Sequence, residues 1–349
     1  MPLDLFDLAA DKLRTNAKKN EEIIGNQEDN EDSKENSHIL CFGSKLSGKS
    51  SLILRFLDRD DTAKPTIALE YTYGRRAKAS VKQIGHVWEL GGATFLLDLL
   101  QIPLSPENIL DFAFVIFLDL SKPEALWVTF EACINRSAEA LAKVLEKCDS
   151  ATKKALVRKT WHRIGEDIQD KQLIKPFPIP LAIVGSKYDT FQMMDPEIKK
   201  LISKTIRFLA HYYGATLQFY CSNNEALVTK GRVLISNLLF HTAISSVIAT
   251  DYNKPISVPF GADSFKEIGT PPVENINQLH ASSPLDLWKQ AYESVFPQVN
   301  LKFEVHDDPT KDPQFKEQSI DILRELKDQE LEKYLKGKSR QIQIVGTGS

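Results

Sequence analysis

Residues 43 to 50 combine two glycines, a lysine and a serine at the spacing of a phosphate-binding loop. Gly43 is followed after four residues by Gly48, Lys49 and Ser50. The glycines leave room for a phosphate to approach the backbone, so that several N–H groups point at one anion. The charge of Lys49 can reach the β- and γ-phosphates, and the hydroxyl of Ser50 can bind Mg²⁺. This pattern predicts a nucleotide phosphate site.

The segments on both sides of the loop predict the elements that position it. Ile39 to Phe42 is a short apolar run, typical of a buried strand, and Ser51 to Leu57 has the pattern of a helix. A strand, a glycine-rich loop and a helix in this order form one motif, which argues against a chance match. The residues predicted to bind the phosphates are Gly43, Ser44, Lys45, Ser47, Gly48, Lys49, Ser50 and Ser51.

Two segments after the loop have the order and spacing of the switch regions of small GTPases, which they resemble. Thr66 follows Pro65, as does the threonine that binds Mg²⁺ in that family, so Ser50 and Thr66 are the expected Mg²⁺ ligands. Gly74 to Arg76 predicts a turn after an aromatic strand. The next strand, His86 to Leu90, ends at two glycines, of which Gly92 is expected to approach a γ-phosphate.

A third segment resembles the guanine-binding motif of the same family. Lys187 and Asp189 match the lysine and the aspartate of Asn-Lys-x-Asp. A carboxylate there accepts two hydrogen bonds from guanine, which selects guanine over adenine. The resemblance therefore implies GTP or GDP with Mg²⁺ as the ligand, and an ATPase or nucleoside kinase is disfavoured.

Three positions depart from the GTPase pattern. Glu89 stands where the family has aspartate, and Ala93 stands where a glutamine orients the attacking water. Ser186 replaces the asparagine that ties the guanine-binding loop to the phosphate loop. We therefore expect absent or very slow hydrolysis and no catalytic residues, and the site either retains a nucleotide or is empty.

Composition and charge exclude several classes of function. The chain has 349 residues, of which 42% are hydrophobic and 26% charged, which predicts a mostly globular protein. A net charge of −3 gives no reason to expect a nucleic-acid or membrane partner. The four cysteines and the histidines show no metal-ligand spacing. Asp4 and Asp7 argue against a secretory signal, and no apolar run approaches the ~20 residues of a membrane span, so we expect a cytosolic protein.

Strand and helix patterns alternate through the middle of the chain. Asp111 to Leu120 and Pro180 to Val184 are apolar runs typical of strands buried on both faces of a parallel sheet. Pro123 to Lys175 has a helical pattern longer than one crossover needs, which predicts a helical insertion. Further helices are predicted at Asp195 to Tyr213 and Glu225 to His241, with a strand at Thr216 to Tyr220. The expected fold is α/β, a doubly wound, mostly parallel sheet, and the GTPase resemblance implies a Ras-like P-loop NTPase fold.

These elements divide the chain into three expected parts. Residues 1–37 predict a short helix, Leu3 to Lys19, and an acidic linker. Residues 38–245 would form the Ras-like domain, with its insertion at about 123–175. Residues 246–349 would be a C-terminal extension, with helices at Pro284 to Phe296 and about Phe315 to Gly337.

Long ungapped strings carry a resemblance more specific than the GTPase motifs. They are KPTIALEYTYGRR from residue 64, WELGG from 88, LDLSKPEALW from 118, VGSKYD from 184, RFLAHYYG from 207, DSFKEIGTPP from 263 and LHASSPLDLWK from 279. In these strings the chain resembles the dynein light intermediate chains, and among them those of cytoplasmic dynein 2. The resemblance extends through almost the whole length.

This resemblance implies a non-motor subunit that binds and stabilises the dynein 2 heavy chain for retrograde intraflagellar transport and cilium assembly. The implied partners are the heavy chain, other dynein 2 subunits and intraflagellar transport trains, and the implied locations are the cytoplasm, the cilium with its axoneme and basal body, and the cytoskeleton. The apolar faces of the helical insertion and the C-terminal helices are the expected contact. The alternative is an active GTP-dependent switch that regulates a trafficking complex.

Overall fold

The computed structural model describes residues 36–59, 61–78, 81–165, 168–243, 247–273, 281–299 and 317–346. The predicted N-terminal helix and most of the acidic linker lie outside this part of the chain. The first strand already begins at Asn36, two residues before the expected start of the Ras-like domain.

The described elements follow one another in the order strand, helix, two strands, and then alternating helices and strands. The strands are β1 Asn36–Gly43, β2 Leu69–Lys78, β3 Val81–Leu90, β4 Phe112–Asp119, β5 Leu181–Ser186, β6 Thr216–Phe219 and β7 Ser257–Val258. The helices are α1 Lys49–Phe56, α2 Pro123–Lys147, α3 Ser150–Ile164, α4 Tyr188–Phe191, α5 Pro196–Tyr212, α6 Glu225–Phe240, α7 Phe265–Ile268, α8 Pro284–Val295 and α9 Gln318–Gly346. Short 3₁₀ helices lie at Leu97–Gln101 and Ile109–Asp111.

The seven strands form one sheet in the order β2-β3-β1-β4-β5-β6-β7. The five inner strands are parallel, and β2 and β7 pair antiparallel at the two edges. Parallel strands with helices between them confirm the predicted doubly wound, mostly parallel α/β fold. None of the described helices is long and apolar enough to cross a membrane.

Alternating side chains of the inner strands form the two layers of the core. Leu40 and Phe42 of β1 join one apolar cluster, and Ile39 and Cys41 join the cluster on the opposite face. All residues of β4 are buried, as expected of a central strand covered on both faces. Helices α1 and α6 pack on one face, and α2, α5 and α8 pack on the other. The carboxyl ends of the strands are thereby held at one edge of the sheet.

The structure corrects two local predictions. Gly74 to Arg76 is not a turn, because these residues pair with Gln83 to Gly85 inside the antiparallel ladder of β2 and β3. The preference of glycine for turns is a local one, and the pairing of ten residues between the two strands overrides it. Regular helix in the segment predicted as helical up to Lys175 ends at Ile164. There α3 is followed by Gly165, whose φ of +105° is a conformation that favours glycine.

The core of the fold continues past residue 245, the expected end of the α/β domain. Strand β7 adds to the edge of the sheet, and α8 buries Trp288 and Tyr292 in the larger core cluster. Arg207 on α5 makes a buried bidentate ion pair with Asp263, which lies in the segment between β7 and α8. The first part of the C-terminal extension therefore belongs to the same hydrophobic core as the sheet.

Candidate nucleotide site

The loop between β1 and α1 turns at two glycines with positive φ. Gly43 has φ +122°, and a Cβ atom there would lie 2.2 Å from the carbonyl oxygen of Phe117. Gly48 has φ +80° and caps the amino end of α1. The amide of Ser44 donates to the carbonyl oxygen of Phe117 at 2.8 Å. The loop is therefore held against β4. The N–H groups of the first turn of α1, which have no partner within the helix, follow directly after it.

Lys49 is buried and folds back over the loop. Its Nζ atom donates to the carbonyl oxygen of Ser44 at 2.9 Å, and the hydroxyl of Ser47 donates to the same oxygen at 2.8 Å. Burial lowers the pKa of Lys49, and the nearby carboxylate of Glu89 opposes this effect. A phosphate in the loop would supply the opposite charge that this buried ammonium group requires.

A cavity of about 730 Å³ opens over this loop. It is lined by all the predicted nucleotide-binding residues except Gly43 and Ser44, at the start of the loop, where the amide of Ser44 donates to Phe117 of β4. The predicted residues that line it are Lys45, Ser47, Gly48, Lys49, Ser50, Ser51, Thr66, Gly92, Lys187 and Asp189. A volume of this size suits a ligand as large as a nucleotide.

Glu89 accepts a hydrogen bond from Ser50, one of the two expected magnesium ligands. The hydroxyl of Ser50 donates to its carboxylate at 2.7 Å. Burial raises the pKa of Glu89, and the bond from Ser50, the charge of Lys49 and the hydroxyl of Thr66 partly offset this effect. The hydroxyl of Thr66 is itself buried and makes no well-formed hydrogen bond within the described part of the chain. Ser50, Thr66 and Glu89 thus provide the oxygen atoms that Mg²⁺ prefers.

A magnesium ion at this position would depend on the nucleotide as well. In the described ranges, no group of three or more His, Cys, Asp or Glu side chains is arranged to hold a metal. Mg²⁺ is commonly bound through one or two protein ligands together with phosphate oxygens. The residues present fit such a shared ion.

The two switch-like segments contact each other. A Cβ atom on Gly91 would lie 2.0 Å from the carbonyl oxygen of Thr66, so that only glycine permits this approach. The amide of Gly91 donates to the carbonyl oxygen of Ala68 at 2.6 Å. Ala93 follows with a methyl group and offers no side-chain atom to bind an attacking water. The geometry couples the two segments beside the cavity.

The loop predicted to bind the base is tied to the phosphate loop through Asp119, which the sequence prediction did not include. Its buried carboxylate lies 2.8 Å from Nζ of Lys187, and its amide donates to Oγ of Ser44 at 3.1 Å. The hydroxyl of Ser186 donates to the carbonyl oxygen of Leu118 at 3.0 Å. These contacts link the two loops although the amide of the GTPase motif is missing.

The residues that directly follow β6 contribute to the site, and the sequence analysis did not predict them. Asn223 donates from Nδ2 to the carboxylate of Asp189 at 3.2 Å. Tyr220 and Ser222 line the cavity, and burial raises the pKa of Tyr220 to about 12. The hydroxyl of Tyr220 has no hydrogen-bond partner among the described residues. Their position, at the end of the strand predicted for Thr216 to Tyr220 or directly after it, is the one signal in the sequence that points to them.

Comparison with known proteins identifies close relatives. No protein-family model matches the sequence. The chain is 45% identical to cytoplasmic dynein 2 light intermediate chain 1 of Danio rerio over 340 residues, which cover 95% of this chain and 94% of the relative. It is 47% identical to the protein of the same name from Homo sapiens over 311 residues, which cover 86% and 88% of the two chains.

A solved structure has the same fold. The crystal structure of the conserved domain of a dynein light intermediate chain superimposes with a TM-score of 0.53, covering 78% of this chain and 94% of that one. The two sequences are 15% identical, so this likeness supports the fold alone.

Proposed function

This chain belongs to the family of cytoplasmic dynein 2 light intermediate chains, and we propose that it binds and stabilises the dynein 2 heavy chain as a non-motor subunit. The supporting observation is the identity of 45% over 95% of the chain. In this proposal it serves retrograde intraflagellar transport and cilium assembly, and it meets the other dynein 2 subunits and the transport trains. Its locations are then the cytoplasm, the cytoskeleton and the cilium.

The contact with the heavy chain is proposed for α9, at the C-terminal end of the described chain. The other part of the predicted contact, the apolar face of the helical insertion, is occupied at α2, because Trp127 and Phe130 are buried in the protein's own core. On α9, by contrast, Leu323, Leu331 and Tyr334 are 55 to 60% exposed. A stripe of exposed apolar side chains on a helix marks a surface for a protein partner.

Co-purification of the heavy-chain tail tests this proposal. Leu331→Asp places a charge among Leu323, Leu331 and Tyr334, and Gln329→Asp places the same charge on the side of α9 opposite Leu331 as a matched control. We expect the wild type and the control to retain the tail and Leu331→Asp to retain at least about tenfold less, because burying an unpaired carboxylate costs several kcal/mol.

Two results would count against this proposal. Equal retention by Leu331→Asp, and by a chain truncated before residue 318, would show that α9 is not the contact. A full-length chain that retains no heavy-chain tail would contradict heavy-chain binding itself.

For the cavity over the phosphate loop, we propose a guanine nucleotide with Mg²⁺ that is retained and is hydrolysed very slowly or not at all. Lys49 and the loop amides would hold the phosphates, Ser50 and Thr66 the metal, and Asp189 the base. Ala93 gives an attacking water no partner. Such a ligand stabilises the fold without turnover, by about 2.7 kcal/mol when its concentration is a hundred times Kd.

A thermal-shift titration with GTP, GDP and ATP, with Lys49→Ala as the control, tests the choice of base. We expect the guanine nucleotides to raise the Tm of the wild type, ATP to raise it less, and none to affect Lys49→Ala. Equal or stronger stabilisation by ATP would contradict the role proposed for Asp189.

The second candidate function is a GTP-dependent switch. It is favoured by one observation, the close contact between Gly91 and the carbonyl oxygen of Thr66, which a γ-phosphate could rearrange. One measurement distinguishes the two functions. The affinity of this chain for the heavy-chain tail is measured once with GDP bound and once with a non-hydrolysable GTP analogue bound. A retained structural ligand predicts equal affinities, whereas a switch predicts a difference of about tenfold or more.

A further inference from the structure

Strand β2 is an edge strand with ten residues, and it has a free side. Its inner side pairs with β3 along its whole length. In the described chain, no backbone hydrogen bond leaves residues 69–78 on the other side. Proteins protect such edges by short strands, charged side chains, prolines, bulges or covering elements, and an unprotected edge pairs with another strand. The charged side chains of β2 include both signs, so they oppose pairing only in registers that bring like charges together. Proline is absent from LEYTYGRRAK.

The hydrogen-bond pattern shows which groups point outward. The amide of Gly91 donates to the carbonyl oxygen of Ala68 at 2.6 Å, in continuation of the β2–β3 ladder. In an antiparallel ladder, inward and outward pairs alternate along the strand. The backbone groups of Tyr71, Tyr73 and Arg75 therefore point away from β3, where a further strand could bind them.

The side chains along this edge are exposed and mixed in chemistry. Tyr71 and Tyr73 are 48% and 44% exposed, and Glu70, Arg75 and Arg76 are exposed as well. The guanidinium group of Arg75 lies over the ring of Tyr73, 5.1 Å from its centre. The edge thus carries an acid at one end, arginines at the other, and aromatic rings between them.

We propose that β2 pairs antiparallel with β2 of a second copy of this chain, on a two-fold axis at Tyr73. In this register the residues with outward-pointing backbone groups face one another, as the ladder requires. Glu70 lies opposite Arg76 of the second copy, and Tyr71 lies opposite Arg75. The two-fold axis makes each of these contacts twice.

Charge complementarity selects this occupant and this register. Directly opposite residues in an antiparallel pair have Cβ atoms about 5 Å apart, close enough for an ion pair and for an arginine over an aromatic ring. The register centred on Tyr73 is the one that pairs both Glu70 with Arg76 and Tyr71 with Arg75. The result is one continuous sheet through two molecules, formed at the edge farthest from β7.

Analytical ultracentrifugation of the full chain over a dilution series tests this proposal through a charge exchange. We expect a monomer–dimer equilibrium in the wild type. Glu70→Arg and Arg76→Glu each place like charges opposite one another twice, and each weakens the dimer by at least about tenfold. The double variant Glu70→Arg with Arg76→Glu restores the pairs and the dimer. Glu146→Arg, an exposed reversal on α2, leaves the dimer unchanged.

Two outcomes would overturn the proposal. A wild type that is monomeric at every concentration would show that this edge does not pair with itself. A dimer that persists in both single variants would show that it forms through another surface. The unfolding transition shows whether a charge-reversal variant folds. If one does not, Glu70→Gln and Arg76→Gln remove the same ion pairs without adding like charges. A dimer of these variants as tight as that of the wild type would then refute the pairing.

Discussion

Replacement of Asp263 by alanine tests whether the segment after residue 245 is part of the core. Nε and a terminal nitrogen of Arg207 donate to the two carboxylate oxygens at 2.8 and 2.7 Å. The side chains are only 7% and 3% exposed. The amide of Ser264 also donates to this carboxylate, at 2.9 Å. Alanine would leave the guanidinium group of Arg207 buried and unpaired.

The expected loss follows from that burial. Removal of one partner from a buried ion pair costs about 3–5 kcal/mol, because the remaining charge is neither solvated nor compensated. The double replacement Arg207→Met with Asp263→Leu removes both charges, so we expect it to recover much of the lost stability. Such recovery would identify the unpaired charge as the cause.

Urea unfolding of the full chain, followed by circular dichroism, measures these changes. Glu139→Ala is the control, because Glu139 pairs with Arg136 on the solvent side of α2, where both side chains are more than half exposed. We expect no measurable loss from that variant. A loss below about 1 kcal/mol for Asp263→Ala would refute the assignment of residues 257–268 to the core.

Three further predictions concern the loop, the base end of the cavity and a half-buried histidine. Gly43→Ala should lower the free energy of unfolding by at least about 2 kcal/mol in urea titrations, because its Cβ would meet a carbonyl oxygen of β4. Asp119→Asn should weaken guanine-nucleotide binding about tenfold by calorimetry, because Lys187 loses its charged partner. Burial and His86 lower the pKa of His38 to about 4, below the ~6.5 of the unfolded chain, so stability is present above pH 6.5 and is lost as the pH falls. For this partly exposed ring we expect a loss of about 1 kcal/mol between pH 7 and pH 5, absent in His38→Gln.

The parts of the site that the sequence predicted are those with fixed local spacing. Gly48, Lys49 and Ser50 are adjacent in the chain and follow an apolar strand, so their loop could be read without knowledge of the fold. Asp119 could not be found in this way, because its partner Lys187 lies 68 residues further along the chain and is brought to it by the pairing of β4 with β5. Asn223 was missed for the same reason.

The fold errors have a similar physical origin. The turn predicted at Gly74 rested on a local preference, which the pairing of β2 with β3 overrides. Strand β7 has two residues and no periodic pattern of its own, so its place beside β6 depends on tertiary contacts. The short apolar run of β1 and the longer apolar run of β4 were sufficient to predict the central sheet.

The nucleotide content of the purified chain tests most directly whether the cavity retains a ligand. The protein is denatured, and the released material is identified by ion-exchange chromatography, with Lys49→Ala purified in parallel. A retained and unhydrolysed ligand predicts GTP at one equivalent per chain in the wild type and none in the variant. GDP in its place would show turnover and favour the switch, and an empty wild-type site, or an adenine nucleotide, would contradict the proposed guanine site.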